Sequence, residues 1–179
     1  MIVYLLRHTK PEIEAGICYG QSDIGLSKSF SDEQTAIKER LSTIAFDSIF
    51  SSPLKRCVQL AEAICPDNMN IIIDNRLMEM NFGTWEMKNW QEISNSSEAQ
   101  NWFNDYINVK CPGGESFKDL HIRVKGFLDM LKNQKQFQQP LIVTHAGVIR
   151  AMYCIIEAAG FKESFRLNVD FGELKIFQL

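Results

Sequence analysis

The stretch IVYLLRHTKP, residues 2–11, sets five apolar residues, Ile2 to Leu6, directly against Arg7 and His8. An unbroken apolar run of this length predicts a strand buried on both faces, the habit of parallel sheets. The cation and the imidazole then stand at the strand's carboxyl end. Residues 141–147, LIVTHAG, repeat the design: an apolar strand ends in His145, just before a glycine and a helix. Ligands in open α/β sheets bind outside the carboxyl ends of the strands. Two of the chain's three histidines therefore fall where that rule puts a site.

Outward from these strands, strand and helix signals alternate. Residues 32–44 predict a helix, with Ser31 and Gln34 at capping-box spacing. FDSIFSS (46–52) predicts a strand. Ser52 then suits the cap of a helix opening at Pro53, with Leu54, Cys57, Val58, Ala61 and Ile64 on one face. MNIIIDNRL (69–77) predicts a third strand and residues 98–107 a helix. From Ser116, positions Phe117, Leu120, Val124, Phe127, Leu128 and Leu131 trace a long amphipathic helix. PLIVTH (140–145) is a strand, followed by a helix over 148–159. The tail from Phe165 predicts one or two edge strands around a Phe171-Gly172 turn. The expected fold is α/β: a three-layer αβα sandwich, its central sheet mostly parallel with helices on both faces, in one domain over residues 1–179.

Composition narrows the function. The 179 residues are 45% hydrophobic and 23% charged, with net charge −3 and no Lys/Arg block, which argues against a nucleic-acid binder. A small anionic substrate stays open, because local charge decides that. No segment approaches the roughly 20 apolar residues of a membrane span. No basic region precedes the short apolar start, so a signal peptide is not expected and the chain reads as cytoplasmic. The five cysteines are odd in number and lack C-x-x-C spacing, so neither a disulfide framework nor a zinc site is expected. Four should pack as small apolar residues; Cys18, between Gly16 and Gly20, is left open.

Two further segments carry candidate chemistry. SIFSSPLKR puts Lys55 and Arg56 in a helix's first turn, where cations are mildly unfavourable, by a few tenths of a kcal/mol. A bound anion would reverse that sign. Arg56 lies off the apolar stripe and can point at the strand ends, whereas Lys55 suits a solvated face. In RLMEMNFGTWE, Glu79 lies between Met78 and Met80. A carboxyl in apolar surroundings has its pKa raised, as a general acid at neutral pH requires. Glu86 is a second candidate, better read as an exposed glutamate. His121, beside the stripe of the long helix, reads as structural.

The motifs LLRHTKP, CYGQSDIGLS, SSPLKRCVQLAEAI, RLMEMNFGTWE, CPGGESF and IVTHAGVIRAM, in this order, resemble the histidine phosphatase superfamily, the phosphoglycerate mutase-like fold. CYGQSDIGLS is most similar to the branch of α-ribazole-5′-phosphate phosphatases, which act in assembly of the cobalamin nucleotide loop. The resemblance implies that His8 is the nucleophile that becomes phosphorylated. It makes Arg7, Arg56 and His145 the phosphate clamp and Glu79 the proton donor. It implies no metal or other cofactor. Backbone N–H groups of Ala146 and Gly147, at a helix start, would also face the phosphate. Tyr19, Phe82, Trp85 and Trp90 would offer aromatic surface to a flat base, or else Phe82 and Trp85 would hold Glu79 in place.

The chain departs from the family pattern in places. Thr9 and Met87 stand where many members have glycine. Glu12 and Glu14 occupy the region of an asparagine that contacts phosphate, so Gln21 is the expected substitute. The expected partner is a small phosphorylated metabolite, with no nucleic acid and no membrane; monomer and homodimer both stay open. Within the family, a phosphoglycerate mutase is the rival. About thirty residues separate Gly83 from Gly113, short for an insertion that shields a phosphoenzyme from water. From another class, an inactive phosphate-binding module would have no use for Glu79.

Overall fold

The computed structural model describes residues 1–179. β1 (Ile2–Arg7) leads to α1 (Phe30–Leu41), β2 (Ser48–Ser51), α2 (Lys55–Ile64) and β3 (Ile71–Ile73). Helices α3 (Trp90–Ile93), α4 (Ser97–Asn104) and α5 (Phe117–Asn133) precede β4 (Pro140–Thr144). Then follow α6 (Ala146–Ile156), α7 (Phe161–Ser164) and β5 (Leu174–Gln178). The sheet order is β3-β2-β4-β1-β5. All pairings are parallel except β5, a single edge strand that runs antiparallel to β1 after the Phe171–Gly172 turn.

The unbroken apolar runs follow from burial on both faces. Val3 and Leu5 of β1 join Phe50 and Ile142 beneath α5 and α6. Tyr4 and Leu6 point the other way, joining Ile49, Leu141 and Val143 beneath α1 and α2. Each such side chain contributes about 1.5–3 kcal/mol on full burial. All six residues of the predicted α5 stripe are buried, and Ser116 with Asp119 closes a capping box at its start.

Two helix starts differ from expectation. α1 opens at Phe30, so Ser31 lies inside the helix and makes no capping box. Ser29 Oγ instead donates to Glu33 at 2.5 Å. α2 opens at Lys55, with Pro53 outside it and no side-chain cap. Ser52 is drawn elsewhere, to His145 at 2.8 Å. On α2, Leu60 is buried and Val58 only half-buried. Cys18 proves to be a core residue, along with Cys57, Cys111 and Cys154; Cys65 is the partly exposed one. No helix is long and apolar enough to cross a membrane.

Met87 explains why a glycine suits its position. Its φ is +66°, a left-handed conformation that costs an L-residue about 1–2 kcal/mol. The turn holds it there, because the Met87 N–H donates to the Cys18 carbonyl at 2.6 Å. The side chain is 54% exposed and contributes little packing. Met87→Gly should therefore stabilise the fold by about 0.5–1 kcal/mol, after allowing for glycine's larger unfolded-state entropy. The urea midpoint checks this; a lower midpoint would mean that the turn is not strained. Thr9, the other departure from glycine, has no left-handed backbone and needs no such relief.

Candidate active site

The parallel register brings the carboxyl ends of β1, β2 and β4 level. Arg7 pairs with Thr144 and Ser51 with Val143. Just beyond, the His8 N–H donates to the Thr144 carbonyl and the Ser52 N–H to that of Val143, both at 3.0 Å. The His8 and His145 rings are thereby set with centroids 5.0 Å apart.

His8 is buried, and its Nδ1 lies 2.7 Å from the Thr9 carbonyl oxygen. A carbonyl only accepts, so Nδ1 carries the hydrogen. Burial first, then the charge of Arg56 and of Arg7, holds the ring's pKa well below the usual histidine value, against the opposing pull of the Thr9 bond. The ring is therefore neutral, with an unprotonated Nε2. His145 is fully buried, with Nε2 2.8 Å from Ser52 Oγ. Its pKa is also depressed, by burial and then by His8, Arg56, Arg7 and Arg123.

Arg56 is the largest fully buried side chain. It donates to the carbonyls of Gly20 at 2.6 Å and Ser22 at 2.8 Å. Arg7 donates to the Val169 carbonyl at 2.6 Å and lies 3.8 Å over the Phe171 ring. Each arginine also buries an Nε–H with no protein acceptor. No carboxylate comes within 4 Å of either guanidinium. Charges so placed cost several kcal/mol unless matched by an anion. Lys55, by contrast, is exposed and pairs with Asp23 at 3.5 Å.

Glu79 is half-buried rather than enclosed by its flanking methionines. Its carboxylate accepts from the Met80 N–H at 2.9 Å and the Gly147 N–H at 3.2 Å. A Cβ on residue 147 would stand 2.3 Å from Glu79 Oε1, so glycine is what lets the carboxylate reach the start of α6. This corrects one expectation: the Gly147 amide is committed to Glu79, and only Ala146 of that pair is left without such a bond. Gln21 is likewise occupied, its side-chain N–H donating to the Glu79 carbonyl at 2.9 Å. Tyr19 lies under Arg56, 5.1 Å from ring centroid to guanidinium carbon.

Arg123 straps this acidic loop down. It donates to the carbonyls of Arg76, Met78 and Glu79 at 2.7–2.8 Å and pairs with Glu115 at 2.8 Å. Glu115 in turn accepts from the Asn81 N–H at 2.9 Å. Arg123→Met should cost about 3 kcal/mol, because it strands three carbonyls and one carboxylate. A denaturant midpoint reads this, and a loss below about 1 kcal/mol would show that the strap carries little of the loop's stability. Glu86, read as exposed, instead clips two loops together. It accepts from Gln21 N at 2.9 Å, Ser22 Oγ at 2.6 Å and Phe82 N at 3.1 Å.

A cavity of about 140 Å³ opens beside Glu79, Ala146 and Gly147. Its walls include Phe82, Trp102, Tyr106 and Phe165. Trp85 is not among them: it is 5% exposed and packs in the core, so the expectation that it meets substrate is corrected. Trp90 stacks on Trp102 from behind, without lining the cavity. Tyr19 belongs to a second hollow of about 300 Å³, shared with Glu14 and Phe171. Glu12 and Glu14 are exposed.

Sequence reasoning gives Ser52 only as a helix cap and Phe171 only as a turn residue, and it does not single out Glu115, Arg123, Trp102 or Arg150. GGES before an amphipathic helix marks Glu115 only as the residue ahead of the Ser116 cap, and nothing local marks Arg123 or Arg150. His121 packs against Phe161 with centroids 4.9 Å apart and lines neither hollow.

Known proteins similar to this chain are numerous. Phosphoserine phosphatase 1 of Hydrogenobacter thermophilus is 28% identical over 182 residues, covering 98% of this chain and 85% of the relative. A protein named "Probable phosphoglycerate mutase GpmB" from Escherichia coli O1:K1 is 31% identical over 160 residues, covering 86% and 72%. Among solved structures, α-ribazole phosphatase from Shigella flexneri superposes with a TM-score of 0.91 at 24% identity, covering 98% of this chain and 89% of that one. The family model of branch 1 matches residues 3–179, which takes in both strand-end histidines, both arginines and Glu79. With that match over nearly its whole length, the chain belongs to the histidine phosphatase superfamily, branch 1.

Proposed function

We propose that this protein is a cytoplasmic phosphomonoesterase that works through a phosphohistidine at His8. The observation that carries the reading is a buried His8, its Nδ1 held by the Thr9 carbonyl and its Nε2 free, beside two arginines that no carboxylate neutralises. The Nε2 lone pair attacks phosphorus in line, a P–N bond forms, and the ester P–O bond breaks. Glu79, in its protonated form, gives the leaving oxygen its proton. The resulting carboxylate then takes a proton from water, whose oxygen displaces phosphate from His8. Arg7 and Arg56 stabilise the charge on the transferred oxygens. His145 joins them as a donor once phosphate charge offsets the burial and the neighbouring charges that keep it neutral. Because arginines supply the positive charge, no metal has a step in this scheme.

We further propose α-ribazole 5′-phosphate as the substrate, in cobalamin nucleotide-loop assembly. The CYGQSDIGLS motif and the aromatic cavity beside Glu79 support it, the cavity by offering rings to a flat base. Phosphoserine and 3-phosphoglycerate are the competitors that the relatives' names raise. The test is kcat/KM for all three and for a simple sugar phosphate. Aromatic contacts contribute about 0.5–1.5 kcal/mol each, so with two of them α-ribazole 5′-phosphate should lead by roughly one to two powers of ten. Parity with phosphoserine or 3-phosphoglycerate would remove this substrate and leave the phosphohistidine scheme standing.

A further inference from the structure

The cavity beside Glu79 is lined by two donor-bearing residues, Arg150 and Trp102, that the scheme does not use. Arg150 sits on α6 one turn beyond Gly147, whose amide holds the Glu79 carboxylate. Its Nη2 reaches the Leu167 carbonyl at 3.3 Å, and its guanidinium carbon lies 5.7 Å from the Phe165 ring centroid. Its Nε–H is buried with no protein acceptor, and no carboxylate comes within 4 Å. Trp102, arriving from α4 on the same cavity wall, also buries an N–H without an acceptor. Most of the other lining residues are apolar, Met80, Phe82, Phe117, Leu120 and Phe165 among them.

Buried donors left unpaired cost about 1–3 kcal/mol each, more when charged. Two residues lining one cavity thus each carry a donor short of an acceptor. The place matters as well. Glu79 lines the cavity, so in the proposed scheme the cavity lies on the side of the departing oxygen rather than of the phosphoryl group. Burial lowers the Arg150 pKa while the charge of Glu79 raises it, which places the two groups in the same field.

We propose that Arg150 and Trp102 form a specificity site that selects leaving groups carrying a hydrogen-bond acceptor on a flat apolar body. The acceptor is either a carboxylate, matched by Arg150, or a ring nitrogen, matched by the indole N–H. The proposal rests on the phosphomonoesterase reading and deepens it, but it does not need α-ribazole 5′-phosphate to be the substrate.

Three small esters test it: phenyl phosphate, 3-carboxyphenyl phosphate and 3-pyridyl phosphate, each with wild type, Arg150→Met and Trp102→Phe. Leaving-group acidity differs between the esters but not between the enzymes, so it cancels when kcat/KM ratios are compared across variants. The expected change is about tenfold or more for the charge-assisted bond to Arg150 and about three- to tenfold for the neutral bond from the Trp102 indole. The carboxyphenyl-to-phenyl ratio should fall by the first factor in Arg150→Met, or the pyridyl-to-phenyl ratio by the second in Trp102→Phe; which one falls names the acceptor. Ratios unchanged in both variants, or equal losses on all three esters, would overturn the proposal. Dissociation constants of 3-hydroxybenzoate, 3-hydroxypyridine and phenol give the same ratios without turnover. A failure of the catalytic scheme is thereby kept separate from a failure of the specificity site.

Discussion

Alanine in place of His8 is expected to leave no measurable turnover of any phosphate ester. The reason is positional as well as chemical. The His8 ring is held between the Thr9 carbonyl, 2.7 Å from Nδ1, and the His145 ring, with Nε2 left as its one free lone pair. His145 cannot take over, because its Nε2 is bonded to Ser52 Oγ. Removal of a nucleophile of this kind costs on the order of 10⁴-fold or more. Wild-type protein quenched during turnover should carry an acid-labile, base-stable phosphoryl group on His8. The same label on a serine or cysteine would sink the scheme, and so would turnover by His8→Ala within tenfold of wild type. Thermal unfolding of the variant, read alongside, separates lost chemistry from lost structure.

Glu79→Gln is expected to slow hydrolysis of alkyl phosphates by about 10²–10³-fold and that of aryl phosphates by no more than about tenfold. An alkoxide is too basic to leave without a proton, whereas a phenolate departs almost unaided. The comparison is needed because glutamine changes the geometry too. The carboxylate accepts from both the Met80 and Gly147 N–H groups, and an amide oxygen can replace only one of those acceptors. That structural loss falls on both ester classes alike. Equal losses on the two classes would therefore give Glu79 a positioning role and leave the proton donor unassigned.

How much of this was legible in the sequence depends on how far each feature reaches along the chain. The inner stripe of α5 was readable residue by residue, because helical periodicity is a local property and Phe117 to Leu131 obey it throughout. His8 and His145 were readable from a rule about strand ends that needs only two short apolar runs. Trp85 was not. It sits in a three-residue 3₁₀ turn, Gly83–Trp85, too short to have a period that says which side faces inward. The aromatic wall came instead from Phe82, Trp102, Tyr106 and Phe165, which meet only through tertiary packing. Arg123 and Glu115 were invisible for the same reason, since their partners are carbonyls and amides of a loop some forty residues earlier. Ser52 was assigned to the wrong partner because a serine before a helix has a local use, and the competing imidazole arrives from the far end of the chain.

The parallel pairing of β1 with β4 has a consequence for how the protein acquires its activity. These strands come from opposite ends of the sequence, and most of the intervening chain must be in place before Arg7 can lie opposite Thr144. Such long-range parallel contacts are the slow part of folding, because the entropy of closing the loop is lost before the contact stabilises anything. The helices can form early and give a nearly native far-ultraviolet spectrum while the two imidazoles are still apart. During refolding, then, recovery of turnover lags recovery of ellipticity. A chain released from synthesis is chemically silent until its last strands have docked.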